Sequence, residues 1–244
     1  MSGIVNAVTK DGSEKFRGSV AINEGNYLTS NDDIFVGLEN DDFTRNQDYK
    51  VFLSGPIVRN KIGFVFNTRY QDNKGHLNGI RRFKVDDYSN FRELNPENWY
   101  SEHKGDGDYV PMSWSKNLSI FGKLSFNLFT GLRASLTYTR NDDESQGYNH
   151  FYKYNPDGMS TYHRESNMFA FQVNHTLSNS FFYEFKASYI DNFQGDYVYE
   201  DPTDSRYVHD EFYRSEGPGF LTGGQDKGHL KRTTRDLNIK FDAT

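Results

Sequence analysis

The chain has 244 residues, 34 acidic against 28 basic side chains for a net charge of −6, no cysteine, and 35% hydrophobic residues with 16% aromatics. The acidic balance argues against nucleic-acid binding, which draws its affinity from Lys and Arg. The missing thiols exclude disulfide frameworks and thiolate metal sites, and no apolar run approaches the roughly 18 residues of a membrane-spanning helix.

The elements follow in chain order from hydrophobic alternation and turn signals. Residues 2–10 read as a short apolar strand with Ile4, Val5 and Val8, closed by a turn at Asp11-Gly12-Ser13. A first long strand covers 15–27, with Phe16, Gly18, Val20 and Ile22 on one face and Arg17, Ser19, Ala21 and Asn23 on the other. A polar loop over 29–46 precedes a second strand at 47–53.

The strongest signal is the stretch 54–72, SGPIVRNKIGFVFNTRYQD. It reads as a turn at Gly55-Pro56 and Arg59-Asn60-Lys61, then a third strand. In that strand Ile62, Phe64, Phe66, Thr68 and Tyr70 oppose Gly63, Val65, Asn67 and Arg69. Soluble strands are usually about five or six residues long, whereas a tilted bilayer-crossing strand needs about 9–11. After a long segment over 73–115, strands follow at 116–126, 132–141, 167–177, 181–191 and 233–242, separated by a short turn, a long loop, a short turn and a long loop.

Compact soluble domains seldom carry several loops beyond about 12–15 residues, while transmembrane barrels alternate short periplasmic turns with long extracellular loops. The strand centres keep Lys, Arg, Asp and Glu off one face; Lys123, Arg133, Glu184 and Lys186 all fall on the other. The expected fold is therefore all-β: about eight long antiparallel strands forming a section of a larger transmembrane β-barrel. Phe64, Phe66, Ile120, Leu124, Leu136, Phe171, Phe185 and Ile239 are the expected lipid-facing side chains. Tyr and Phe near the strand ends suit interfacial girdles. A soluble β-sandwich or propeller fits the alternation but not the loop rhythm.

Two motifs carry a resemblance to a known family. The opening SGIVNAVTKDGSEKFRGSV resembles the end of the plug and the first barrel strand of a TonB-dependent outer-membrane receptor, through Gly3, Asn6, Thr9, Lys10 and Gly12 and then Phe16, Arg17 and Gly18. SGPIVRNKIGFVF is similar to the first periplasmic turn of Bacteroidetes-type receptors of the carboxypeptidase-regulatory-like or glycan-importer branch. The resemblance implies a piece of such a receptor: residues 1–12 as the end of the plug domain and 13–244 as the N-terminal part of the barrel. It implies a transporter importing a siderophore, glycan, peptide or vitamin across the outer membrane of a Gram-negative bacterium. The implied partners are outer-membrane lipid, the plug of the same protein, a TonB-type energy-coupling protein reached through an N-terminal segment upstream, and a surface lipoprotein. The alternatives are a small eight-stranded outer-membrane barrel and a secreted β-sandwich binding protein.

Loop rings with polar handles are the candidate ligand contacts: Trp99, Tyr100, Trp114, Tyr148, Tyr152 and Tyr154. The seven histidines are spread singly, without zinc spacing. Gly105-Asp106-Gly107-Asp108 lacks the bidentate Glu of a calcium loop, and Asp142-Asp143-Glu144 reads as a strand-to-loop exit. No nucleophile elbow, zinc helix or phosphate loop occurs, so no catalytic role and no cofactor is assigned. If one face meets lipid, Phe66→Arg or Leu124→Arg costs roughly 2–4 kcal/mol and blocks assembly, while Asn67→Arg or Ser125→Arg is tolerated. Outer-membrane yield of folded protein measures this, and equal yields on both faces would count against the lipid assignment.

Overall fold

Strong alternation over long stretches lays the chain out as one antiparallel meander. The computed structural model describes residues 15–38, 41–214 and 219–244. The plug-like strand expected over 2–10, with Gly3, Asn6, Thr9, Lys10 and Gly12, lies outside the described residues. In chain order the strands are β1 (Arg17–Gly25), β2 (Asn46–Val58), β3 (Ile62–Asn73), β4 (Asn78–Ile80), β5 (Ser89–Asn90), β6 (Tyr100–Ser101), β7 (Tyr109–Pro111), β8 (Trp114–Phe129), β9 (Leu132–Gln146), β10 (Thr161–Ser178), β11 (Phe181–Tyr197) and β12 (Leu230–Ala243). Eight of them form one sheet in the order β1-β2-β3-β8-β9-β10-β11-β12; β4 pairs with β7 and β5 with β6 in two small ribbons. The large sheet is open, with β1 and β12 at its edges and no pairing between them among the described residues. Among the described residues the eight strands do not close into a barrel, the form that one of the expected alternatives requires.

Cross-strand partners share a face, so the register decides which side chains lie together. One transverse row runs Gly55–Phe64–Leu124–Leu136–Phe171–Ala187–Ile239. The next runs Gly18–Leu53–Phe66–Gly122–Tyr138–Phe169–Tyr189–Leu237. Phe185 joins this face between Val173 and Phe241, and Ile120 joins it opposite Thr68. All eight residues expected to face lipid thus share one face. The opposite face carries Lys50, Arg69, Ser119, Asn141, Ser166 and Asn192 in one row, although Phe52, Phe121, Met168 and Ile190 interrupt the polar character in another.

Among the described residues no second sheet covers the apolar face. The extensive contacts of the long strands, among the described strands and helices, are with their sheet neighbours. Leu136 is 44% exposed, Phe169 50% and Ile239 64%. The buried hydrophobic residues lie away from the sheet's centre: Leu38, Phe83, Met112, Tyr152 and Leu221 in the long connections and Tyr197 at the end of β11.

The face has sharp limits. On β3 and β8 it stays apolar up to the Tyr70–Leu118 pair, then meets Asp72 and Lys116. On β9 to β12 it ends two rows lower, at Tyr138, Phe169, Tyr189 and Leu237, beyond which stand Arg140, Asn167, Asp191 and Arg235. There Arg140 pairs with Asp142 at 2.8 Å and Arg235 with Asp191 at 3.1 Å. At the other end the three short turns descend in the same sense. The first strand residue after each turn, Ile62, Leu132 and Phe181, lies two, four and six residues below the Phe64–Leu136–Ala187 row.

Several boundaries differ from the sequence reading. Gly55 and Pro56 sit inside β2 rather than in a turn; the strand runs to Val58 and the reversal is confined to Arg59-Asn60-Lys61. The register shifts between Pro56 and Val58, which relieves the ladder of the donor that proline lacks. A Cβ on Gly55 would stand 2.4 Å from the Phe16 ring, so glycine there leaves room for that aromatic. Asp142, Asp143 and Glu144 lie within β9, not at its exit, because β9 and β10 stay paired as far as Ser145–Tyr162. Asn60 has φ of 59°, a left-handed conformation that Asn tolerates and β-branched residues resist. Asn60→Gly should leave stability unchanged, and Asn60→Val should lower it by about 1–2 kcal/mol, read from thermal unfolding of the assembled protein.

Candidate functional site

The four long connections all leave the end opposite the short turns, and buried polar side chains and backbone hydrogen bonds tie them into one cap. The first and second are joined by Arg45, which is buried and donates from Nε to Gly75 O at 2.7 Å and from Nη2 to Asn78 Oδ1 at 2.7 Å. The Asn78 amide then donates to Val36 O and Gly37 O at 2.9 and 3.0 Å. Gly75 has φ of +64°, and a Cβ there would stand 1.9 Å from Ser113 O, so only glycine fits this crossing.

The second and third connections zip through Ile80 N–H to Lys153 O and Phe83 N–H to Tyr154 O, at 2.8 and 3.0 Å. The fourth closes on both. Leu221 N–H donates to Phe151 O at 2.8 Å, Asp226 N–H to Gly158 O at 2.7 Å, and Gly224 N–H to Val85 O at 2.7 Å. Met112, Tyr152 and Leu221 form the apolar centre, with Tyr148 and Met159 against it. Asn155, fully buried, opens the Asn-Pro-Asp-Gly turn and donates its amide to Gly224 O at 2.8 Å.

Salt bridges fasten the outside of the cap. Arg81 Nε donates to Asp157 at 2.6 Å, and its Nη1 lies 3.1 Å from Asp106 and 3.6 Å from Asp108. The backbone N–H of Asp108, and then Arg81, hold the Asp106 carboxyl below the usual range. The Gly105–Asp108 run is therefore an arginine clamp. Asp204, which accepts from Arg206, is held down to about 2, and that guanidinium sits 3.9 Å over the Tyr199 ring. The buried Asp87 accepts from the backbone N–H groups of Lys84 and Lys104 at 3.0 and 2.9 Å.

The rings expected to touch ligand do not converge on one pocket. Trp99 packs edge-on to Phe91 at 5.4 Å and donates to Glu93 O, while Tyr100 stands exposed beside Tyr88. Tyr154 meets Phe220 edge-on at 4.7 Å. Trp114 begins β8 and donates to Gln146 Oε1 at 3.1 Å. Tyr148 bonds His150 Nδ1 at 3.0 Å. Tyr152 is buried, and burial pushes its hydroxyl pKa well up.

Clefts of a few hundred Å³ open among the described residues of the cap. One of about 410 Å³ is lined by Pro202, Tyr207, Val208, His209, Lys227 and His229. Its two imidazoles are fixed by their hydrogen bonds: His209 Nδ1 accepts from Glu211 N–H at 3.1 Å, and His229 Nε2 lies 2.9 Å from Glu200 O. That leaves one ring nitrogen of each for a solute. A second cleft, about 210 Å³, runs along Gln146, Tyr152, Ser160, Tyr162, Asp196 and Asp226. A third, about 240 Å³, lies beside Trp114 and Lys116. Sequence reasoning missed the histidine cleft because its residues come from two ends of one connection. The histidines it counted as scattered also meet in space, since His163 and His229 stack on Tyr197 at 4.7 and 5.3 Å. Among the described residues no group of three His, Cys, Asp or Glu side chains could hold a metal ion.

No family model, no curated protein and no solved structure matches the chain. The site is therefore defined by its own geometry: a folded cap with small mixed polar clefts, held above a sheet with one apolar face. Asn155→Ala should cost the cap about 1–3 kcal/mol, because the buried Gly224 carbonyl loses its side-chain donor. Faster hydrogen exchange at Gly224 and Asp226, with exchange in β9 and β10 unchanged, is the expected reading.

Proposed function

We propose that this chain is part of an outer-membrane import barrel of the TonB-dependent receptor kind, with its apolar face against lipid and its cap on the cell surface. One observation carries the reading: a wide sheet leaves an apolar face uncovered, and that face stops abruptly at charged rows. Burying one large apolar side chain is worth about 1.5–3 kcal/mol, so a sheet exposing a dozen of them to water would forfeit most of its stability. Monomeric soluble proteins rarely expose apolar patches beyond a few hundred Å². Hydrocarbon supplies the missing layer. It also explains the tyrosines at the face's upper edge: Tyr49 stacks on Tyr70 at 6.4 Å, and Tyr138 donates its hydroxyl to Asn167 at 3.0 Å.

In this reading the opposite face lines a lumen that a plug of the same protein fills. Further strands pair with the edges of β1 and β12, and an energy-coupling protein moves the plug. The clefts of the cap sample the imported solute, with a surface lipoprotein as a further partner. A secreted β-sandwich is less well supported, because it requires a second sheet over the row from Phe64 to Ile239.

The sequence has no cysteine, so single replacements report cleanly. Leu136→Cys and Ile239→Cys in the outer-membrane fraction should react at least tenfold more slowly with a water-soluble maleimide than Ser135→Cys and Asn238→Cys. They should also be quenched by lipid-borne nitroxides when labelled. Equal labelling on both faces would overturn the membrane assignment. Loss of solute uptake on removing the energy-coupling protein tests the transport half separately.

A further inference from the structure

The 240 Å³ hollow beside the top of β3 and the start of β8 is lined by Asp72, Lys74, Val110, Pro111, Trp114 and Lys116. Its level is set by the register. Asp72–Lys116 is the next pair on the apolar face after Tyr70–Leu118, and Trp114 lies two residues further along the same face. The hollow therefore opens on the lipid side, one step beyond the last apolar row.

Its chemistry is mixed. Val110, Pro111 and the indole of Trp114 give an apolar wall continuous with the row below, and the indole is fixed by its hydrogen bond to Gln146. Lys116 Nζ lies 5.7 Å from the Trp114 ring centre. Lys74 acts on the Asp42 carboxylate through its charge, and Asp72 adds one negative charge to the lining against the two lysines. Cations nearby on this face are engaged: Arg140 with Asp142, Arg235 with Asp191, and Lys231 with Glu200 at 3.1 Å. Two lysines against a single lining carboxylate, beside an interfacial tryptophan, suit an anion that brings its own hydrocarbon.

We infer that this hollow binds the phosphorylated headgroup of an outer-leaflet lipid, with Lys74 and Lys116 on the phosphate and Trp114, Pro111 and Val110 against the start of the acyl chains. The inference rests on the membrane reading above. The test uses the complete protein in phosphatidylcholine nanodiscs, with or without lipid A, and native mass spectrometry to count lipid retained after detergent exchange. Wild type should retain lipid A over phosphatidylcholine. Lys74→Gln with Lys116→Gln should weaken retention about thirtyfold, and Lys231→Gln, on the same face but ion-paired, should match wild type.

Undiminished retention by the double variant, or equal retention of phosphatidylcholine, overturns the site. Competition by sodium phosphate as effective as that by lipid A identifies a free-anion site and overturns the lipid assignment. Leu136→Cys labelling in the same nanodiscs separates the two levels. If that position stays shielded while the double variant keeps its lipid, only this inference fails; if it labels freely, the membrane reading fails with it.

Discussion

Everything in this molecule depends on the register of one hydrogen-bonded ladder. Side chains alternate across a sheet, so a slip of one residue on any strand would turn its apolar set to the other face. The seven pairings of the large sheet keep Phe64, Leu124, Leu136, Phe171 and Ile239 in a single row. Polar contacts on the other face hold the same alignment: Arg69 grips Asp48 with two hydrogen bonds at 2.7 and 3.0 Å, and Gln172 donates to Glu184 at 2.8 Å. The ladder thus makes two surfaces that call for different solvents, and the proposed function is the assignment of those solvents.

The cap follows a different logic. Its segments carry little regular structure, so their backbone groups find partners in neighbouring connections rather than within themselves. Arg45, Asn78 and Asn155 act as polar rivets at points where apolar packing alone would leave carbonyls unpaired. Met112 and Leu221 then fill the small interior. A cap built this way places clefts of a few hundred Å³ between connections tied to one another by buried hydrogen bonds.

How far the sequence could be read follows from these two logics. Wherever one face is apolar and the other polar, alternation is visible in a single strand, and all eight long strands with their facing residues were legible. Legibility stopped where the contrast stopped. The start of β10, Thr161 to Ser166, is polar on both faces, so its pairing with β9 left no pattern. Pro56 gave a turn signal at a place where a bulge accommodates it. The cap was opaque because its contacts join residues far apart in the chain, such as Arg81 with Asp157 and Asn155 with Gly224. The plug-like motif at Gly3, Asn6, Thr9, Lys10 and Gly12 lies outside the described residues.

The staircase of short turns has a geometric consequence. Each hairpin reverses two residues further down than the one before, or one residue per strand. With a rise of about 3.4 Å per residue and a spacing of about 4.8 Å between strands, the line through the turns is skewed by about 35° from the perpendicular to the strands. If that line marks the lower rim of a cylinder, the strands lean by the same angle against its axis, within the range of closed β-barrels. A cylinder rolled from such a ribbon would inherit this slant, so the strand tilt that closure would require is already written in where the chain turns back.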